Sequence, residues 1–513
     1  MSLLSMRALA SRLKNSADFE SFSGREDARR NLMRNSLRGF SYVLLSGGGE
    51  FALRLGSTAI LARLISPESF GLFMMVTAVT AVADQFRDLG LSTATIQRER
   101  ITHHEVSNLF WINTAAGCLI ALTVCVLSPF VSSYFHEPRL TSMTIALAST
   151  FVLGGLSVQH EALLGRQMRL GPKSGMRLVA FLFSSVVGVL MALAGYGYWA
   201  LVWREISRSA FIVVGAWALC PWIPGRPRRD TEVWSLLNFG SGLTATYILG
   251  ALTGSLDRLL LGRFHGADAV GLYRQSYQLV ITPMSQLMGP LYQVSLPGLS
   301  MLQDDSDRFR DFYTRIVSIV AIVSMPLGVF LLVYAEEVSA VVLGDQWHGA
   351  ATFIRIFGVG GMFQSVFSTI GFVLVSTGRS RELFMLGIAY STIKSLLMLF
   401  GLSWGPVGVA TADVAATLAM FSPFLYVTVR NSPITIIAFL RALSRPFTSS
   451  VLLIIVLMGF RSTFSLAPAF LSLIAGVSVT AIVFPLIWLV LPGGRFEFRT
   501  LRSAVSVALA RSS

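Results

Sequence analysis

Many ionisable side chains lie inside stretches that are otherwise apolar, among them Glu50, Arg54, Asp84, Arg87, Asp88, Arg204, Glu205, Arg208, Asp257, Arg258, Arg274, Arg355, Lys394 and Asp413. A charge at the centre of an apolar span costs about 2.5–3.5 kcal/mol, so such residues turn toward a bundle interior or a wet cavity. Local pairing accounts for several of them. Glu50 with Arg54, Asp84 with Arg87 and Glu205 with Arg208 are spaced to meet on their own helices. Lys394 can reach Asp413 from an adjacent helix, and Arg87, Asp88, Arg258, Arg274 and Arg355 lie close enough to span ends to snorkel. Even with every anion paired, eight cations against six anions leave an excess of two. Seven of the eight cations are arginine, whose planar fork suits phosphate or carboxylate. The candidate anion-binding set is therefore Arg54, Arg204, Arg208, Arg258, Arg274, Arg355 and Lys394. Glu50, Asp84 and Asp413 are the candidate ion-coupling carboxylates.

Other chemistry finds little support. His103, His104 and Glu105 are adjacent, without the spacing of a helical zinc motif, and are expected in a solvated loop. His136, His160, His265 and His348 are scattered near span ends. Gly47, Gly48 and Gly49 lack the Lys and Ser/Thr of a phosphate loop and read as close helix packing or a kink. Cys118, Cys125 and Cys220 read as buried thiols, not as a disulfide or metal site. No cofactor and no metal are expected, and no outward-facing segment is long enough to carry an extramembrane catalytic domain.

The elements that must position these charges are membrane helices. The 513-residue chain is 53% hydrophobic and 13% charged, with a mean hydropathy of +0.65. Apolar runs near twenty residues recur throughout, each able to cross roughly 30 Å of hydrocarbon as a helix. The expected spans are 40–64, 70–92, 107–129, 140–161, 174–195, 197–219, 236–260, 270–295, 312–335, 350–375, 383–403, 405–428, 446–464 and 467–491. The net charge of +14 resides largely in the short loops between them, so it points to membrane orientation and away from nucleic acid. Tails and alternate loops on one side, with Arg177 and Arg315 at the adjoining span starts, hold 29 Lys and Arg, while the opposite loops and adjoining span ends hold Arg63, Arg139, Arg263 and Arg461. Both termini are thereby assigned to the cytoplasm. Residues 1–38 show no cleavable signal. Leu3, Met6, Leu9, Ala10 and Leu13 share one helical face, which suits either a helix lying on an anionic leaflet or a disordered basic tail.

A repeat organises the spans. LARLISPESFGLF at 61–73 returns as LGRFHGADAVGLY at 261–273, with Leu61, Arg63, Gly71 and Leu72 meeting identical residues two hundred positions on. Both copies end one span and open the next, so spans 1–6 and 7–12 read as parallel repeats that enclose a central site. The expected fold is an all-α polytopic membrane protein of about 14 transmembrane helices, two six-helix repeats plus two C-terminal helices. The expected segments are a basic N-terminal segment 1–38, a six-helix lobe 39–219, a linker 220–235 and a second lobe 236–430. Helices 13 and 14 with their preceding basic loop follow at 431–491, and then a tail at 492–513.

Several stretches resemble one family. LARLISPESFGLF followed by FRDLGLSTATIQRERIT at 86–102 is similar to the first-hairpin signature of polysaccharide-transporter (PST, Wzx-type) flippases of the MOP superfamily. SLDRLLLGRFHGADAVGLYRQSYQL at 255–279 is similar to their mid-chain signature, and EALLGRQMRL at 161–170 and VLGDQW at 342–347 to weaker family patterns. The resemblance covers residues 36–430. The second half departs in detail, with Ser276 in place of a small Ala and no Asn before Asp257. The resemblance implies a MATE-like fold and a flippase moving an undecaprenyl-pyrophosphate-linked glycan across a bacterial inner membrane. The product would be an exopolysaccharide, capsule or O-antigen. It also implies alternating access through a cationic lumen, with proton or sodium coupling and a polysaccharide polymerase and export machinery as candidate partners. A drug/cation antiporter of the same superfamily is the alternative if Glu50, Asp84 and Asp413 dominate the lumen. A membrane polymerase or glycosyltransferase is a third reading, against which the short outer loops argue.

Overall fold

The computed structural model describes residues 49, 51–87, 91–98, 101–227, 233–286, 288–464 and 468–491. The basic N-terminal segment, the C-terminal tail, Glu50 and Asp88 lie outside them. All regular structure among the described residues is helical. In chain order the helices are α1 (51–64), α2 (Pro67–Asp84), α3 (Leu91–Gln97), α4 (His103–Phe135), α5 (Arg139–Arg166), α6 (Leu170–Leu193) and α7 (Trp199–Leu219). There follow α8 (Val233–Gln286), α9 (Met288–Met301), α10 (Ser306–Val333), α11 (Ala350–Ser376), α12 (Ser380–Gly401), α13 (Gly405–Arg430), α14 (Ile436–Thr463) and α15 (Ala469–Val490). Among the described residues, each of the fourteen expected spans is largely helical, with an interruption in the second. α8 holds two of them, divided at Gly266, whose φ of 80° and ψ of −178° break the helix. The chain forms two compact units, one ending at Gly271 and the other beginning at Leu272.

Large apolar side chains face outward as well as inward. α4 exposes Leu119, Leu122, Val126, Leu127 and Phe130 while burying Ser107, Asn108, Asn113 and Ser128. That distribution suits a helix with lipid on one face and packed neighbours on the other. Cys118 lies on the exposed face, contrary to the expectation of a buried thiol, Cys125 is half-buried, and Cys220 is buried. All three are free.

Two local expectations are corrected. His103, His104 and Glu105 open α4 instead of forming a solvated loop. Thr102 accepts from the Glu105 N–H at 3.3 Å, and the Glu105 carboxylate accepts from the Thr102 N–H at 2.6 Å. This capping box satisfies two helix-end donors at once. His103 and Glu105 are consequently buried. The second span, expected as continuous over 70–92, stops at Asp84, where the polar run Asp84, Gln85 and Arg87 begins, and helix resumes at Leu91.

In the first unit, α5 is the central element. It packs along α4 and α7, and α3 docks on it where the Arg166 guanidinium donates to the Thr95 and Arg98 carbonyls, at 3.0 and 2.6 Å. The residues after α7 fold back onto the same bundle. Trp222 is buried, Trp111 donates to the Gly225 carbonyl at 2.8 Å, and Gly225 N–H donates to Ser107 at 2.9 Å. In the second unit, α10, α11 and α13 share a core around Phe309, Tyr313, Val317, Ile370, Val373 and Phe424.

Candidate functional site

The first unit holds a polar cavity of about 260 Å³. Its polar lining comes from four helices or their ends: Arg87 just beyond α2, Ser157 and Glu161 on α5, Arg177 on α6, and Arg208 and Ser209 on α7. Gly154 on α5 lets the Arg87 side chain lie across the cavity wall. A Cβ at that position would stand 2.6 Å from Arg87 Cδ and 2.9 Å from Nη1.

Each lining arginine has a carboxylate neighbour. Arg87 pairs with Asp84 at 3.1 Å, one turn back in the chain. Arg208 clasps Glu205 on its own helix through both Nε and Nη2. Arg177 reaches across the α5–α6 turn, its Nη2 and Nε donating to Oε2 of Glu161 at 2.6 and 3.1 Å. Lys173 stands 3.9 Å from the same oxygen. Arg204 is half-buried beside this group, and Arg54 on α1 is exposed; both lie within electrostatic reach of Glu205. Among the described residues of this cluster, Arg54, Arg87, Lys173, Arg177, Arg204 and Arg208 face Asp84, Glu161 and Glu205, six cations against three anions. The excess of three is a standing attraction for a multivalent anion. Arg258 lies elsewhere in this unit, buried, donating to Ser255 at 2.8 Å, to the Gly254 carbonyl at 3.3 Å and to Thr77 at 3.4 Å.

The second unit carries the other expected residues. Lys394 on α12 and Asp413 on α13 form a buried ion pair at 2.5 Å, as their placement on adjacent helices anticipates. Tyr390 and Thr417 bond at 3.2 Å nearby, and Tyr277 is also within electrostatic reach of Lys394. The Arg274 guanidinium lies 4.8 Å over the Tyr277 ring, a cation–π distance. Arg355, near the start of α11, is engaged by Glu336 at 2.5 Å, which also accepts from Arg461 at 2.9 Å. These two arginines hold the Glu336 carboxyl below its usual range.

Sequence reasoning did not place Glu161 and Arg177 in a site. They are sixteen residues apart on separate helices, so no single-helix spacing joins them. Their one signal is Glu161 at the head of the EALLGRQMRL stretch. Glu50, the expected partner of Arg54, lies outside the described residues.

Helices with apolar side chains turned outward, and arginines gathered at a polar cavity, make this a multi-pass membrane protein. The chain belongs to the family described as polysaccharide biosynthesis protein, whose model matches residues 60–352. It is 25% identical over 408 residues to the lipopolysaccharide biosynthesis protein WzxC of Escherichia coli (strain K12), covering 78% of this chain and 80% of WzxC. It is 22% identical over 487 residues to the succinoglycan biosynthesis transport protein ExoT of Rhizobium meliloti (strain 1021), covering 92% and 96% of the two chains. Its fold is similar to that of the lipid II flippase MurJ in an inward closed conformation. The TM-score is 0.73 at 12% identity, over 90% of this chain and 99% of MurJ.

Proposed function

We propose that the chain is a lipid-linked oligosaccharide flippase, a transporter and not an enzyme, and that the first unit's cavity receives the pyrophosphate of an undecaprenyl-linked glycan. The observation that carries this reading is the cavity itself, polar, lined by three arginines and set in a cluster where, among the described residues, cations outnumber anions. At about 260 Å³ it falls just below the roughly 300–1,000 Å³ of sites for drug-sized ligands. It therefore suits a headgroup and not the whole glycan. Arginine forks can meet the non-bridging oxygens in parallel pairs, which also fixes their orientation.

Arg54, Arg204 and Arg208 supply the field in this reading, with Arg87 and Arg177 joining them. Arg274 and Lys394 are the second unit's candidates, whereas Arg355 serves the ion network at Glu336. The distribution of Lys and Arg between loops supports an inner-membrane protein with both termini cytoplasmic. The 200-residue repeat supports two lobes, 39–219 and 236–430, working by alternating access. Asp84 and Asp413, two of the carboxylates a drug/cation antiporter would need free, are each paired with a cation, which favours an anionic cargo. Deleting the chain in its host should cause a lipid-linked glycan to accumulate on the cytoplasmic leaflet. Normal export of every surface glycan after deletion would reject the proposal.

A further inference from the structure

We infer that the first three turns of α14 bind an anionic phospholipid of the surrounding bilayer, with Arg441 and Arg445 holding its phosphodiester. This concerns the second unit alone and is independent of the cavity in the first. α14 is longer than a bilayer requires. Its 28 residues make about 42 Å of helix at 1.5 Å per residue, against roughly 30 Å of hydrocarbon. Arg461 marks one end of the crossing. It donates to the Val333 carbonyl at 2.8 Å and to Glu336 at 2.9 Å, and it stands 3.0 Å from Glu337. Arg441 lies twenty residues before it on the same helix, about 30 Å along the axis. That spacing puts Arg441 at the headgroup level of the opposite leaflet. Arg445, one turn deeper, reaches the same level by snorkelling.

Both arginines flank an apolar face. Ile437 is 69% exposed, and Ile436 and Leu440 beside it are also exposed. At helical spacing the face runs on into Val451, Ile455 and Met458, exposed on the same helix. A stripe that continues into hydrocarbon is covered by lipid, and the charge says which lipid. α14 carries no carboxylate, and α15, packed along it, carries no charge. Hydrogen bonds from Gln303 to Ser376, Arg379 to Thr428 and Arg310 to Pro433 bring residues 302–318, 377–384 and 428–445 to this end of the unit. Those segments hold eight arginines and five carboxylates. Asp305, Asp307 and Glu382 are already paired, with Arg308, Arg310 and Arg379. A zwitterionic lipid brings its own ammonium to such a surface, whereas a net negative one answers the excess.

The segment is also held in place. Pro446 has no N–H for the Ala442 carbonyl four residues back, and Ser318 on α10 donates to that carbonyl instead, at 3.1 Å. Just before the helix, Arg310 Nε donates to the Pro433 carbonyl at 2.9 Å. Between these two anchors Phe439 is buried against Tyr313 and Phe421. Arg441 and Arg445, one turn apart, are thus presented on a fixed scaffold and can donate to the non-bridging oxygens of one phosphodiester.

Native mass spectrometry of the full chain, titrated in detergent with phosphatidylglycerol or with phosphatidylcholine, tests this. The wild type should retain phosphatidylglycerol preferentially. At about fivefold per arginine, Arg441→Gln with Arg445→Gln should weaken its retention about thirtyfold and leave phosphatidylcholine unchanged. Should the double variant fail to fold, Arg441→Gln alone, at an exposed position, should lose about fivefold. Arg308→Gln, at a 79% exposed arginine of the same end, should change nothing. Equal loss in Arg308→Gln, an undiminished preference in the glutamine variants, or no preference in the wild type would each overturn the site. Soluble glycerol 3-phosphate should not displace the lipid, because it has no chain to lie on the apolar face. Displacement by it would overturn the bilayer lipid as the occupant.

Discussion

Gly71 and Gly271, two hundred residues apart in sequence, pack against each other within the first unit, and the contact is reciprocal. A Cβ on Gly71 would fall 1.7 Å from the carbonyl oxygen of Ala267, and one on Gly271 would fall 2.0 Å from that of Pro67 and 3.1 Å from the Gly71 nitrogen. Pro67 and Ala267 are themselves equivalent positions of the 61–73 and 261–273 repeat. Each glycine stands four residues after the first residue of its helical segment, one behind the Ser66 cap and one behind the Gly266 break. The repeat therefore marks a pair of helix starts that cross backbone to backbone. Since the obstacle is backbone, it cannot swing aside. Gly71→Ala and Gly271→Ala should each destabilise the protein by about 1–3 kcal/mol, the usual scale of overpacking. A thermal melt in detergent reads this out, and an unchanged midpoint for both variants would refute the close crossing.

Orientation is a separate expectation, carried by the loop charges. Reporter fusions after Arg229 and Arg381 should report cytoplasm, and fusions near Arg139 and Glu336 the outer side. A cytoplasmic signal at Glu336 would dismantle the fourteen-span topology. The spans were legible because hydrocarbon imposes a length and an apolarity that any reader of the chain can measure. The interruption after Asp84 was visible in its polar neighbours, and the capping box in the Thr102-to-Glu105 spacing, yet both were subordinated to the apolar pattern. The Glu161–Arg177 contact was hidden for a different reason. It depends on how α5 and α6 pack, and no periodicity along one helix encodes that. Cys118 was misplaced because an apolar span has a lipid face as well as a buried one, and composition alone does not separate them.

The Lys394–Asp413 pair makes a prediction about stability. Removing one member of a buried pair leaves an uncompensated charge and costs about 3–5 kcal/mol, whereas replacing both with apolar residues is often neutral. Asp413→Ala should therefore lower membrane abundance sharply, and Lys394→Met with Asp413→Leu should restore it. Low abundance of the double variant would mean that the pair holds more than each other's charge.

Acid sensitivity should arise at the network around Glu336. Hydrogen bonds from Arg355 and Arg461 depress its carboxyl below the ordinary 4.5. The depressed folded value means that the network's stabilisation is complete above the unfolded pKa and is lost as pH falls through the folded one. Glu137, held down by Arg139, behaves in the same sense. The melting midpoint should fall below about pH 4.5. Glu336→Gln should lower the midpoint modestly at neutral pH and make the acid decline shallower. An identical acid decline in that variant would assign the sensitivity elsewhere.

Arg208 is where geometry and charge can be separated. It stands midway along α7, clasps Glu205 through two nitrogens and lines the cavity. If it contacts phosphate, guanidinium shape matters as well as charge, because Lys offers a point charge where Arg offers parallel donors. Arg208→Ala should abolish glycan export at near-normal abundance, and Arg208→Lys should restore only part of it. Arg54→Ala and Arg274→Ala, one in each unit, should also reduce export. The opposing account is that Arg208 merely neutralises Glu205. On that account Glu205→Ala combined with Arg208→Ala leaves no unpaired charge and should be tolerated. Wild-type export from that double variant would remove Arg208 from the binding site. Correctly inserted but inactive protein would mean that Glu205 positions the guanidinium while the cargo uses it.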